Sequence, residues 1–114
     1  MISATDFTLP NGLKVISAID SSNPIVCLQL HIKSGSVNET PQTSGYSHFI
    51  EHLTFKNTAS YPYNKISEQV PLLGGMINAY TEFDSTCYYL MLPSEELEAG
   101  LKILSDIAFK ALFL

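Results

Sequence analysis

Apolar positions recur every second residue in some stretches and every third or fourth in others, and the switches between these periods divide the chain into elements. Phe7 to Ser17 reads as two short strands around Asn11-Gly12, a dipeptide suited to the left-handed backbone of a tight hairpin turn. Asp20 to Pro24 is a polar loop of residues that turn chains. From Ile25 to Ser34 the alternation predicts a strand. Val26, Leu28, Leu30 and Ile32 share one face; Cys27, Gln29, His31 and Lys33 share the other, less buried one. Gly35 to Ser44 is polar again and reads as a loop.

Gly45 to Phe55 changes to helical spacing. Thr43 or Ser44 stands where a cap is needed, and Pro41 keeps the residue before it extended. Phe49, Leu53 and Ile50 supply an apolar stripe, which predicts a half-buried helix. Lys56 to Tyr63 is irregular, with Pro62 against any helix there. Asn64 to Leu73 predicts a short helix built on Ile66 and Val70, kinked or ended early by Pro71, before Gly74-Gly75 turns the chain. Met76 to Thr81 and Thr86 to Leu92 predict an antiparallel pair joined by the acidic turn Glu82 to Ser85. Pro93 to Glu96 opens a last helix with a serine cap and an acidic first turn. Its stripe is Leu97, Leu101, Leu104 and Ala108, widened by Ile103 and Ile107. Ala111 to Leu114 is apolar and uncapped, which fits a terminal helix tucked into its own core or, as the sharper expectation, self-association or packing on a missing C-terminal half through this end. Together these elements predict one α+β domain over residues 1–114, a mainly antiparallel sheet with helices packed on one face.

Composition narrows the partners. The 114 residues hold six lysines, no arginine and eleven acidic residues, for a net charge of −5. Nucleic acid, whose backbone calls for many cations, is excluded as a partner. No run is long and apolar enough to predict a membrane span. Cys27 and Cys87 fit no zinc knuckle or redox spacing and read as buried free thiols, with a disulfide left open. Met1 to Asp6 lacks a basic start leading into an apolar run, so no signal peptide is visible. The expected location is the cytoplasm, or the periplasm or an organelle for a mature form whose leader has been removed.

The candidate chemistry sits in the predicted helix at 45–55. His48-Phe49-Ile50-Glu51-His52 is a His-x-x-Glu-His sequence, the inverzincin order. On a helix, His48 and His52 are one turn apart and Glu51 lies beside them on the same face. Two imidazoles at that spacing can hold one metal ion, with the carboxylate near its open position. The same residues would also fit a helix with two ordinary surface histidines and a solvated glutamate. His31, on a strand, is a poor candidate for the metal.

The neighbouring residues favour the metal. Leu9-Pro-Asn-Gly-Leu-Lys-Val15, Gly35-Ser36, Glu39, Gly45-x-x-His48-Phe-Ile-Glu51-His52, Phe55-Lys56, Gly74-Gly75-x-x-Asn78-Ala79-Tyr80-Thr81, Thr86-x-Tyr88 and Leu92-Pro93 occur in order. This series resembles the N-terminal half of a domain of the pitrilysin family of zinc peptidases, which includes insulin-degrading enzymes and mitochondrial processing peptidases. The resemblance implies a zinc metalloendopeptidase acting on extended peptides, with Zn2+ as cofactor and a peptide as substrate. His48 and His52 would be the zinc ligands through neutral imidazole. Glu51 would be the general base, later passing its proton to the leaving amine. Met76 to Thr81 would be the substrate-binding edge strand, with Asn78, Ala79 and Tyr80 contacting the peptide. The family's third zinc ligand is a glutamate on a later helix, so the resemblance implies that it is expected beyond Leu114; within these residues Glu68, Glu82 and Asp84 are substitutes only by guesswork. These 114 residues alone are therefore expected to be weak or inactive. The alternative is a non-catalytic peptide- or subunit-binding module of the same fold.

Overall fold

A computed structural model describes residues 4–54, 56, 58–62 and 64–110. The apolar end at 111–114 lies outside the described residues, so its expected packing role is not addressed by the fold. Two strands, β1 (Ala4–Thr8) and β2 (Lys14–Ala18), form the expected hairpin around Asn11-Gly12, with Phe7 opposite Val15 and Gly12 at φ +90°. The Leu13 N–H donates to the Asn11 side chain at 3.0 Å, and the Gly12 N–H to the Leu9 carbonyl at 2.9 Å.

β3 (Ile25–Ile32), β4 (Met76–Thr81) and β5 (Thr86–Pro93) make a separate antiparallel sheet in the order β3-β5-β4, so β4 is an edge. Alternation works as the sequence implies. Leu90, Leu92 and Tyr88 of the central strand are buried on one face, flanked by half-buried Val26, Leu28, Leu30, Ile77 and Ala79. Ile32, at the strand end, is exposed instead.

Helices cover that one face. α2 (Lys65–Leu72) contributes Ile66 and Val70, and α3 (Leu97–Phe109) contributes Ile103, Leu104 and Ile107. Each fully buried side chain of this size contributes about 1.5–3 kcal/mol through burial. Pro71 sits in the last turn of α2, one residue before its end; it lacks the N–H that would bond the Ser67 carbonyl, and the helix stops at Leu72, the early end that the sequence predicts. The loop at 35–44 contains one turn of 3-10 helix, Ser36–Asn38, and another such turn, Ser94–Glu96, precedes α3. Ser94 supplies no side-chain cap; its N–H donates to the Pro24 carbonyl at 3.0 Å.

The stripe of α3 is rotated from the expected one. Leu97 and Leu101 are exposed, while Gly100 is buried. A Cβ at Gly100 would come within 2.7 Å of Leu28 and of Leu92 side-chain carbons, so the glycine lets the helix lie close on the sheet. That close approach, along the line Gly100-Ile103-Leu104-Ile107, turns the two leucines outward.

Both cysteines are free, but only Cys87 is buried; Cys27 is exposed, contrary to the reading of two buried thiols. Cys27 lies on the sheet face that no helix covers. Burial pushes the Cys87 thiol above its usual range, partly offset by its hydrogen bond with Tyr80. No helix among the described residues is long and apolar enough to cross a membrane.

Candidate metal centre

α1 (Tyr46–Thr54) carries the His-x-x-Glu-His residues. Its start is not capped by Thr43 or Ser44 as expected. The Glu39 carboxylate reaches across the loop instead, accepting the Gly45 N–H through one oxygen and the Ser47 N–H through the other, both at 2.8 Å. Gly45 is at φ +86°, a backbone that favours glycine, and this brings the first N–H groups round to Glu39. The bonds from Ser47 and then Gly45 hold the Glu39 carboxyl below its ordinary value. The negative charge also suits the positive end of the helix.

The buried side of α1 is polar, another correction. Phe49 and Ile50 are exposed and Leu53 is half-buried, whereas Glu51 and Thr54 are buried. These two, three residues apart, face the sheet. Thr54 Oγ1 donates to the Glu51 carbonyl at 2.8 Å and lies 3.2 Å from the Tyr88 hydroxyl. The Thr81 hydroxyl of β4 donates to Glu51 Oε2. A cluster of side-chain hydrogen bonds therefore joins α1 to β4 and β5. Burial raises the Tyr88 phenol above its usual range, and the Glu51 charge adds to this against the lowering bond to Thr54.

His48 and His52 stand on the exposed edge of the same side, their rings 4.6 Å apart and tilted by 58°. Their Nε2 atoms face each other at 2.9 Å. Ligand atoms of His48, Glu51 and His52 all lie within 4.8 Å of one another, the only such group among the described residues. Glu68, Glu82 and Asp84 do not join it. Two nitrogens bound to one tetrahedral zinc at about 2.0–2.1 Å stand roughly 3.3 Å apart, so the pair fits a shared ion after a small opening. His31 is elsewhere: it lies on the outer sheet face, with Nε2 2.9 Å from Gln29 Oε1 and 3.7 Å from Cys87 Sγ.

The three peptide-contact candidates divide between the two faces and the edge of β4. The Glu82 N–H donates to the Ser85 carbonyl at 2.7 Å, so that pair is a hydrogen-bonded one. Antiparallel alternation then makes Tyr80/Cys87 and Asn78/Tyr89 bonded pairs and turns the backbone groups of Ala79 and Thr81 toward the open edge. Asn78 and Tyr80 side chains lie on the sheet face away from Glu51, with the Tyr80 ring 6.2 Å from that of Tyr89. Asn78 Oδ1 accepts the outward Ala79 N–H at 2.8 Å. The Thr81 side chain, on the opposite face, meets Glu51. Thr81 and Glu39 stood in the motif series, yet residue spacing gave no sign that either would bond to α1.

The profile of the insulinase family (peptidase family M16) matches residues 14–114. The uncharacterized zinc protease YmxG of Bacillus subtilis is 34% identical over 107 residues, covering 94% of this chain and 26% of that protein. The mitochondrial-processing peptidase subunit beta of Blastocladiella emersonii is 36% identical over 99 residues, 87% of this chain and 21% of that one. The crystal structure of a protease from Helicobacter pylori superposes with a TM-score of 0.93 at 29% identity, over 100% of this chain and 27% of that chain. The chain thus spans about a fifth to a quarter of the length of these relatives.

Proposed function

The chain belongs to the insulinase family, peptidase family M16, and we propose that it carries the metal-binding and proton-transfer residues of a zinc-dependent endopeptidase. The observation that carries this reading is the meeting of His48, Glu51 and His52 ligand atoms within 4.8 Å on one helical turn. In it, His48 and His52 hold Zn2+ through their facing Nε2 atoms. Zinc, when bound, acts as a Lewis acid that acidifies water and polarises the scissile carbonyl.

This chain's residues do the rest. Glu51, 5% exposed, has Oε2 held by Thr81. Its other oxygen is left to take a proton from the attacking water and later return it to the leaving amine. An extended peptide adds to the open edge of β4 through the backbone groups of Ala79 and Thr81. The Asn78 side chain gives up its bond to the Ala79 N–H to let the peptide in, and Tyr80 borders the edge from the outer face. With Glu51 acting as base, two imidazoles remain as ligands, one short of the three protein ligands usual for catalytic zinc. These 114 residues alone therefore bind zinc weakly and hydrolyse peptides poorly or not at all.

A full-length protein containing this segment should cleave a quenched extended peptide, lose that activity to a chelator, and lose it on Glu51→Gln. Activity indifferent to both treatments would refute the reading. The shortage of ligands favours one alternative, a binding module in which the β4 edge holds a peptide or subunit. In that case Glu51→Gln changes nothing while disruption of the β4 edge abolishes binding.

A further inference from the structure

We propose that Thr81 is a positioning residue that couples a peptide on the β4 edge to the orientation of Glu51; this rests on the peptidase reading above. Three observations meet in this residue. Its hydroxyl donates to Glu51 Oε2. It is half-buried at the end of β4, and Glu51 is almost wholly buried, so bulk water is a poor substitute for that donor. Its backbone N–H and C=O point to the open edge, because the Thr81/Thr86 pair is the non-bonded kind.

One residue thus faces the bound peptide with its backbone and the proton-transfer carboxylate with its side chain. A hydroxyl carries a single proton, and committing it to Oε2 fixes which carboxylate oxygen remains free for water. A β-branched side chain has few rotamers, so restraint of the Thr81 backbone by an added strand is passed to the hydroxyl with little slack. Without the donor, the Glu51 carboxylate can rotate about its terminal bonds, and the reacting oxygen loses its fixed place. Zinc binding by His48 and His52 does not depend on this contact.

The test compares Thr81→Val, which keeps the shape and removes the hydroxyl, with Thr81→Ser, which keeps the hydroxyl. In the full-length protein, Thr81→Val should lower kcat about 10- to 100-fold, with KM and zinc content close to wild type. Thr81→Ser should restore kcat to within about threefold of wild type. A second measurement needs neither metal nor turnover: the 13C carboxyl signal of labelled Glu51 in the metal-free protein. This signal should shift and broaden in Thr81→Val but stay near its original position in Thr81→Ser. The inference is overturned if Thr81→Val keeps kcat within about twofold, if Thr81→Ser falls as far as Thr81→Val, or if the carboxyl signal is the same in all three proteins. If the wild-type protein shows no chelator-sensitive hydrolysis, the peptidase reading fails by itself, and the carboxyl signal still decides whether Thr81 holds Glu51.

Discussion

Asp106 of α3 anchors the segment that leaves α1, and removing its carboxylate should loosen that segment measurably. The side chain is 2% exposed. Its Oδ2 accepts the Thr58 hydroxyl at 3.2 Å and the Ser60 N–H at 3.1 Å, and Lys110 Nζ stands 4.0 Å from Oδ1. The Ala59 N–H adds a bond to the Lys110 carbonyl at 3.0 Å, so residues 58–60 are clamped to the end of α3. A hydrogen bond to a charged group contributes about 1.5–3 kcal/mol, and two of them about 3–6 kcal/mol gross. Removing the charge gives back part of its desolvation cost, so Asp106→Ala should lose about 2–4 kcal/mol net. The exposed Lys110 contact adds little. Urea unfolding should show a midpoint lowered by roughly 1–2 M for a slope of about 2 kcal/mol/M. Asp106→Asn, which keeps one acceptor oxygen, should lose about half as much. Amide exchange at Ser60 should accelerate in both variants. A midpoint within about 0.3 M of wild type, or unchanged exchange at Ser60, would refute the anchoring role.

Two further outcomes follow from the loop at 35–44. Glu39→Gln removes the charge that receives the Gly45 and Ser47 N–H groups, so amide exchange at those two residues should speed up and the first turn of α1 should fray. Because the folded Glu39 carboxyl lies below its ordinary value near 4.5, the unfolded chain takes up its proton first as pH falls. The contribution is thus complete above that ordinary value and is lost as the pH drops through the lower folded one, and exchange against pH should show this in wild type but not in Glu39→Gln. Gly35→Ala would bring a Cβ within 2.2 Å of the Glu82 carbonyl oxygen, 2.8 Å of that of Phe83 and 2.9 Å of the Ser85 nitrogen, all backbone. Overpacking of this kind costs about 1–3 kcal/mol, and calorimetry should register it as a lower Tm.

Sequence periodicity revealed the elements because their apolar residues pack on the same chain. β3 and the β4–β5 pair alternate as written, since each presents one face to α2 and α3. The helix stripes were less legible. Nothing in the spacing of Leu97 and Leu101 distinguishes them from Ile103 and Ile107; the choice is made by Gly100, whose missing Cβ matters only once the sheet lies against it. Phe49 and Ile50 read as core because they are apolar, yet α1 is attached by Glu51, Thr54, Thr81 and Tyr88, polar groups that bond across elements. Such bonds leave no periodic trace. The same holds for Glu39, six residues ahead of the Gly45 N–H that it caps. His48, Glu51 and His52 were legible because a single helical turn alone sets their spacing, with no tertiary contact needed.

That local geometry is tested most directly by titrating Zn2+ into the metal-free protein by calorimetry, alongside His48→Ala, His52→Ala and Glu51→Gln. The wild type should bind one zinc per chain, either histidine variant should lose that binding, and Glu51→Gln should keep it. Zinc uptake that persists when both histidines are replaced, or that depends on Glu51 and not on them, would contradict this reading.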